Sequence, residues 1–293
     1  MMLERAAPKA TRRTEKPLAQ KVALVSGCAN ARGFGRAIAY RLACDGADVL
    51  LTDVTHDSVD PGHSEKLKHA QLEQAVDDIY QLGSRASYAI ADVQLSSDVD
   101  RLIEKTMATF GRLDILVNNA AAPPGADRMP LVNVSEAAWD TVIDTNLKGT
   151  FLMTRAAAKL MIEQASGGRI INISSVTGKI PYANMAAYSA SKAGILGFSR
   201  AAAAELAPHS ITVNAVCPGV ADTNRIDYVG KQADGRFDPA LRSTRLADRA
   251  KSIPLGRIAT PEDVAGVVAF LASREADYLT GEFINIAGGY VMD

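Results

Sequence analysis

Ser175, Tyr188 and Lys192 are the residues of this chain whose types and spacing could move a proton. A tyrosine and a lysine four apart on a helix lie one above the other on the same face. A free tyrosine titrates near pKa ~10 and is a weak base at neutral pH. A neighbouring ammonium favours the phenolate and makes a usable proton acceptor. The serine can join the pair only if the chain before the helix folds back onto that face. The local pattern suits this: Gly168-Arg169-Ile170-Ile171-Asn172-Ile173-Ser174 is apolar and β-branched, and Ala186–Leu206 is alanine-rich and helix-prone. Taken alone, Tyr188 and Lys192 read more readily as an ordinary pair on a helix surface, since this spacing often occurs by chance. The elements around them decide.

Those elements alternate from Lys21 to the end. Val22–Val25 leads into Gly27, Gly33 and Gly35, and Val49–Thr52 ends in Asp53. Tyr88–Ala91 ends in Asp92, and Ile115–Val117 ends in Asn118-Asn119-Ala120-Ala121. Ile170–Ile173 ends in Ser174-Ser175, Ile211–Val216 in Cys217-Pro218-Gly219, and Phe283–Ile286 in Ala287-Gly288-Gly289. Runs apolar on both faces suit strands of a buried parallel sheet. Helical patterns of crossover length lie between them, including Arg36–Cys44, Gln71–Leu82, Ser97–Phe110 and Pro261–Ala272, the last with Thr260 as its cap. The fold class is therefore α/β, a doubly wound sheet whose polar strand ends form a ligand-binding edge. No linker divides it. One domain over 21–293 is expected, after a mobile basic tail over 1–20 that resembles a mitochondrial leader too little to be read as one.

The turn Gly27-Cys28-Ala29-Asn30-Ala31-Arg32-Gly33-Phe34-Gly35 sits between the first strand and the first helix. Glycines there permit a tight turn and let a pyrophosphate approach the helix N-terminus. The common dinucleotide fingerprint would place a third glycine where Ile38 stands, so position carries the reading: strand before, helix after, and Asp53 about twenty residues on. A carboxylate at Asp53 accepts hydrogen bonds from both adenosine ribose hydroxyls and repels a 2′-phosphate. Arg32, just before Gly33, could instead meet that phosphate. Asp53 weighs more, which makes NAD the expected cofactor and NADP the less favoured one.

Bulk properties narrow the function further. In 293 residues, 47% are hydrophobic and 22% charged, as in ordinary globular proteins, and the net charge of −1 gives no reason to expect nucleic acid or a membrane as partner. No apolar run approaches the roughly eighteen residues of a membrane span. Cys28, Cys44 and Cys217 are odd in number and widely spaced, which fits a reducing, cytoplasmic setting; Cys28 and Cys217 read as packing residues.

With these residues together, the chain resembles the short-chain dehydrogenase/reductase family, in its single-domain branch, from Lys21 to Gly289. The resemblance rests on the glycine turn, Asp92, Asn118-Asn119-Ala120-Ala121, Asn146 in Asp144-Thr145-Asn146-Leu147, Ser175, Tyr188-x-x-x-Lys192, and Pro218-Gly219 with Thr223. It implies a Rossmann-type, mostly parallel seven-stranded sheet with helices on both faces. Tyr188 would be the general acid/base in a hydride transfer between a nicotinamide cofactor and a secondary alcohol or ketone. Lys192 would promote its ionisation and bond the nicotinamide ribose, Ser175 would hold the substrate oxygen, and Asn146 would hold a water linking Lys192 to solvent. Gly27, Arg32, Gly33, Phe34 and Gly35 would form the pyrophosphate turn. Asp92 and Val93 would contact the adenine, and Asn119 and Ala120 would lie along the adenosine side. Pro218, Gly219, Val220 and Thr223 would cover the nicotinamide. Asn118 and Asn214 read as structural.

Two features depart from the family pattern. The glycine turn is longer than the usual Gly-x-x-x-Gly-x-Gly, and the segment Val54–Lys68 is extended. The histidines and acids in and beside that segment (His56, Asp57, Asp60, His63, Glu65, His69) match no familiar metal pattern, so no metal is expected; the segment could fold over the cofactor. Asn224–Ser252 is long, polar and mixed in charge, as a mobile substrate lid would be. Two alternatives stand beside an alcohol dehydrogenase or ketone reductase: an NADPH-dependent 3-oxoacyl-[acyl-carrier-protein] reductase, and a non-catalytic dinucleotide sensor. The resemblance also implies a homotetramer joined through Ser135–Glu163 and Ala186–Leu206.

Overall fold

The computed structural model of the protein describes residues 16–54, 65–232 and 234–292. Its strands are β1 (Val22–Ser26), β2 (Asp48–Asp53), β3 (Ala86–Ile90), β4 (Ile115–Asn118), β5 (Gly168–Ile173), β6 (Ile211–Pro218) and β7 (Phe283–Ile286). They form one sheet in the order β3-β2-β1-β4-β5-β6-β7, every neighbouring pair parallel. Every residue of β1, β4 and β6 is buried, which explains why their sequences are continuous apolar runs rather than alternating ones.

The helices are α1 (Phe34–Cys44), α2 (Glu65–Gln81), α3 (Ser96–Phe110), α4 (Glu136–Ile143), α5 (Gly149–Gln164), α6 (Ala186–Leu206), α7 (Pro239–Ala250) and α8 (Pro261–Ala272). One apolar layer joins α1, α2 and α8 to the sheet through Ile38, Leu42, Leu72, Ile79, Val264 and Val268. The opposite layer joins α3, α5 and α6 through Leu102, Met153, Ala157, Met161 and Ala202. The chain leaves β1 for β2 on one side and later returns to β4 on the other. That reversal opens a crevice at the carboxyl ends of β1 and β4, where open α/β sheets bind ligands.

Two boundaries and one segment differ from expectation. The tail expected over 1–20 gives way to docked chain by residue 16: Leu18 is 2% exposed within the α1-side core, and its N–H donates to the Asp45 carbonyl at 2.8 Å. A lone leucine among polar residues carries no periodic signal, so only the tertiary pocket reveals it. Helix α2 begins at Glu65, which puts Lys68 and His69 on a helix; His56, Asp57, Asp60 and His63 lie outside the described residues. The segment 224–252, expected as a mobile lid, carries a 3₁₀ stretch, Asn224–Gly230, and α7, capped by Asp238 at the N–H groups of Ala240 and Leu241. Among the described residues, no helix is long and apolar enough to cross a membrane, and no cluster of three or more His, Cys, Asp or Glu side chains could hold a metal.

Candidate active site

A cavity of about 1320 Å³ runs along the strand ends. Ser175, Tyr188 and Lys192 line one part of it, and Asp53 and Asp92 line the part beyond β1. The serine reaches the tyrosine helix through a close approach. A 3₁₀ turn, Val176–Gly178, follows Ser175, and a Cβ on Gly178 would sit 2.8 Å from the Lys192 carbonyl carbon. Only glycine lets the two segments pack this tightly. Ser174 completes the join by donating to the Lys192 carbonyl at 2.8 Å. The Ser175 hydroxyl accepts from the Thr177 N–H at 3.1 Å and lies 3.2 Å from the Thr177 hydroxyl.

Lys192 is 3% exposed, and its ammonium donates to the Ile173 carbonyl at 2.7 Å. Its Nζ lies 5.7 Å from the centre of the Tyr188 ring. Burial, and then the charge of Arg225, pushes the Lys192 pKa down to about 7.

Asn146 is wholly buried in a five-residue π-helical stretch, Asp144–Lys148, between α4 and α5. Such bulges turn one side chain out of the regular helical sequence of faces. Its amide accepts from the Ala122 N–H at 2.8 Å and donates to the Ser191 hydroxyl at 2.9 Å, while its carbonyl accepts the Thr150 hydroxyl at 2.7 Å. Ser191 in turn donates to the Tyr188 carbonyl at 2.8 Å. Asn146 is outside the cavity wall, and its side chain bridges the loop after β4 to the tyrosine helix.

The other expected residues divide into wall and scaffold. Gly27, Gly33, Phe34, Val93, Asn119 and Ala120 are wall residues, as are Pro218, Gly219, Val220 and Thr223. Asn119 also pins the crevice: its amide donates to the carbonyls of Ser26 at 2.8 Å and Gly27 at 3.1 Å. The Ser26 hydroxyl accepts from the N–H groups of Asn119 and Ala120, both at 3.0 Å; strand position alone gave no reason to single out this serine. Gly35 is not wall but scaffold, since a Cβ there would meet the Gly27 carbonyl oxygen at 2.2 Å. Asn118 bonds Thr154 and Asn172, and Asn214 bonds Leu279 and Glu282, as structural residues do.

Arg32 is drawn away from the cavity. Its guanidinium meets Asp227 at 3.1 and 3.2 Å and Asp222 at 3.1 Å, and both acids also bind Arg242 of α7. Asp53 accepts from the N–H groups of Ala29 at 2.7 Å and Val54 at 2.8 Å. Burial pushes its carboxyl above the usual range, although those two bonds oppose the shift. Cys28 and Cys217 are buried, and burial followed by the nearby Asp53 pushes the Cys28 thiol up, which keeps it unreactive.

A family model described as enoyl-(acyl carrier protein) reductase matches residues 27–291. A short-chain type dehydrogenase/reductase from Mycobacterium marinum superposes with a TM-score of 0.79 at 30% identity, covering 94% of this chain and 97% of that one. The chain belongs to the short-chain dehydrogenase/reductase family. Galactitol 2-dehydrogenase of Agrobacterium fabrum is 35% identical, over 94% of this chain and 99% of the relative. A 3-oxoacyl-[acyl-carrier-protein] reductase of Synechocystis is 38% identical, over 94% and 98%. As a short-chain dehydrogenase/reductase, the protein is an enzyme, an NAD(P)-dependent oxidoreductase acting on alcohols or ketones.

The cavity suits a dinucleotide on its own terms. Gly27 holds a left-handed φ of +73°, and a Cβ there would lie 2.7 Å from the Asn119 amide nitrogen. Gly33 caps α1 with no side chain, so the N–H groups of the first turn keep no side-chain acceptor. The hydroxyl of Thr52, on the wall beside Asp53, is buried without a hydrogen-bond partner among the described residues.

Proposed function

We propose that this short-chain dehydrogenase/reductase interconverts a secondary alcohol and its ketone with NAD(H), and that Tyr188 is the proton-transfer group. The observation that carries the reading is that Ser175, Tyr188 and Lys192 share one cavity wall, with Lys192 anchored beside the strand that delivers the serine. When bound, the nicotinamide supplies hydride acceptance in oxidation and hydride donation in reduction. Tyr188 takes the hydroxyl proton as the carbonyl forms and returns it in the opposite direction. Ser175 donates a hydrogen bond to the substrate oxygen and orients it. Lys192 places a cation beside the phenol and remains in reach of a ribose. Asn146 acts as a positioning residue by fixing Ser191 and, through it, the Tyr188 backbone.

NAD is preferred over NADP. Asp53 on the wall is suited to ribose hydroxyls, and Arg32 is engaged by Asp222 and Asp227 rather than free to receive a 2′-phosphate. The turn Gly27–Gly35 receives the pyrophosphate, Asp92 and Val93 the adenine, Asn119 and Ala120 the adenosine side, and Pro218–Thr223 the nicotinamide. The enzyme works as a cytoplasmic homotetramer. Three free cysteines suit a reducing compartment, and Trp139, Phe151 and Ile162 stand exposed on the α4–α5 run that would pair subunits. Residues 21–293 form one catalytic domain with its lid over 224–252.

The test is a panel of secondary alcohols and ketones assayed with NAD(H) and NADP(H). Turnover with NAD(H) at the higher kcat/KM supports the reading. Turnover confined to NADP(H), or the absence of turnover when Tyr188 is intact and the cofactor binds, would overturn it.

A further inference from the structure

The positive charge of the cavity is concentrated at its tyrosine end. Among the described wall residues, the carboxylates are Asp53 and Asp92, both at the ends of strands beyond β1. Around Tyr188 the wall carries arginines instead. The Arg128 guanidinium carbon lies 4.4 Å from the centre of the Tyr188 ring and that of Arg225 lies 5.7 Å from it. A third, Arg249, sits over Tyr228 at 5.8 Å.

The aspartates in and just before the lid do not neutralise these groups. Asp222 and Asp227 are held by Arg32 and Arg242, Asp234 by Arg236, and Asp248 by Lys251, while Asp238 caps α7. The sequence interleaves acids with arginines, but the fold pairs the acids with other basic residues and leaves Arg225, Arg245 and Arg249 without a carboxylate partner among the described residues.

Both arginines next to Tyr188 have unmet hydrogen bonds. Arg225 reaches the Ala121 carbonyl with Nη1 at a long 3.4 Å, and its buried Nη2 has no partner among the described residues. Arg128 has a charge partner in the buried Asp127, 3.1 Å from Nε, but the angle is wrong for a hydrogen bond and Nε is left unsatisfied. Its terminal N–H groups make no hydrogen bond among the described residues. Two planar donor forks beside the Tyr188 ring, with a single carboxylate to offset them, are a site for an anion that presents paired oxygens.

We propose that the substrate carries a carboxylate a few bonds from the reacting carbon, making it a hydroxy acid or the matching oxo acid, and that Arg128 and Arg225 bind that carboxylate. The anion accepts from the open terminal N–H groups of the arginines and draws the substrate oxygen towards Tyr188 and Ser175. This rests on the alcohol–ketone reading of the same site and narrows it to one substrate class.

Oxo acids cannot react with the enzyme in its NAD⁺ form, so binding can be read without turnover. Pyruvate, acetoacetate and levulinate, each beside its methyl ester, are titrated calorimetrically into the NAD⁺-loaded enzyme. At least one acid should bind about 10- to 100-fold more tightly than its ester. Arg128→Gln should bring that ratio close to one, and Arg128→Lys should restore only part of it, because an ammonium lacks the fork. If Arg128→Gln does not fold, Arg225→Gln reads the same ratio. The proposal is overturned if no acid exceeds its ester by more than about two-fold, or if the ratio survives the substitution. It is also overturned if Arg128→Gln weakens NAD⁺ itself as much as the acid, since the arginine would then serve the cofactor phosphates. Turnover of neutral alcohols without any preference for acids removes the carboxylate subsite and leaves the reaction standing. Normal turnover by a Tyr188→Phe variant removes the reaction itself.

Discussion

The Lys192 ammonium is bonded to the carbonyl oxygen of Ile173 at 2.7 Å, so the helix carrying Tyr188 is tied by its lysine to the strand that ends in Ser174-Ser175. Together with the bond from Ser174 to the Lys192 carbonyl, it holds Ser175, Tyr188 and Lys192 in register. Tyr188→Phe keeps the ring under Arg128 and removes only the phenol. Its NAD affinity should stay within about two-fold while kcat falls about 10²- to 10⁴-fold. Cofactor fluorescence titration and steady-state kinetics separate the two effects. Lys192→Met should lower kcat as well, with little change in stability, because relief of the buried charge offsets the partner lost by the Ile173 carbonyl.

Asn146 should matter for stability and for turnover together. Asn146→Ala leaves the buried Ala122 N–H and the Ser191 hydroxyl without their partner. A loss of about 2 kcal/mol or more is expected in denaturant unfolding, with kcat reduced more than KM as Tyr188 loses its support. An unfolding midpoint equal to that of the wild type would show that the bridge is dispensable.

The glycine turn offers a contrast within three residues. A Cβ on Gly35 would lie 2.2 Å from the Gly27 carbonyl oxygen, whereas one on Gly33 would lie 3.2 Å from the Asn30 carbonyl oxygen. Gly35→Ala must force α1 away from the turn, which should cost about 1–3 kcal/mol and weaken NAD binding. Gly33→Ala needs only a small adjustment and should cost about 1 kcal/mol or less. Thermal unfolding of the two variants side by side tests the order.

The pH dependence should follow Lys192. Burial, and secondarily Arg225, pushes its pKa down to about 7, below the ordinary lysine value. Between these two values the unfolded chain holds a proton that the folded enzyme has lost, so this group makes stability rise with pH across that window. Arg225→Gln removes a repelling charge and should move the Lys192 titration upward. In a profile of kcat/KM, which reports free-enzyme groups, the limb near neutrality should shift to higher pH. A shift to lower pH would contradict the assignment.

Much of the architecture follows from local pattern. A doubly apolar run ending in a polar or glycine residue marks a buried parallel strand wherever it occurs, and all seven such runs became neighbours in one sheet. The helix Pro261–Ala272 starts at the residue its Thr260 cap and Pro261 specify, because capping depends on groups within a single turn. The four-residue spacing of Tyr188 and Lys192 needs only a helix to put them on one face.

What local pattern could not supply depends on contacts distant in the chain. Leu18 is a core residue only because Asp45 and the α1-side layer receive it. Asn146 looks like any helix asparagine until a π-helical stretch turns it toward Ala122 and Ser191. Arg128 belongs to a loop with no motif, and Arg225 to a segment after β6 that interleaves seven basic residues with four aspartates. The sequence therefore determined the sheet, the crevice at its strand ends and the placing of Tyr188 and Lys192 on one helix, all set by short-range periodicity. Only the tertiary structure decided which charges cancel and which stay open over Tyr188, because ion pairing depends on distance in space and not on order along the chain.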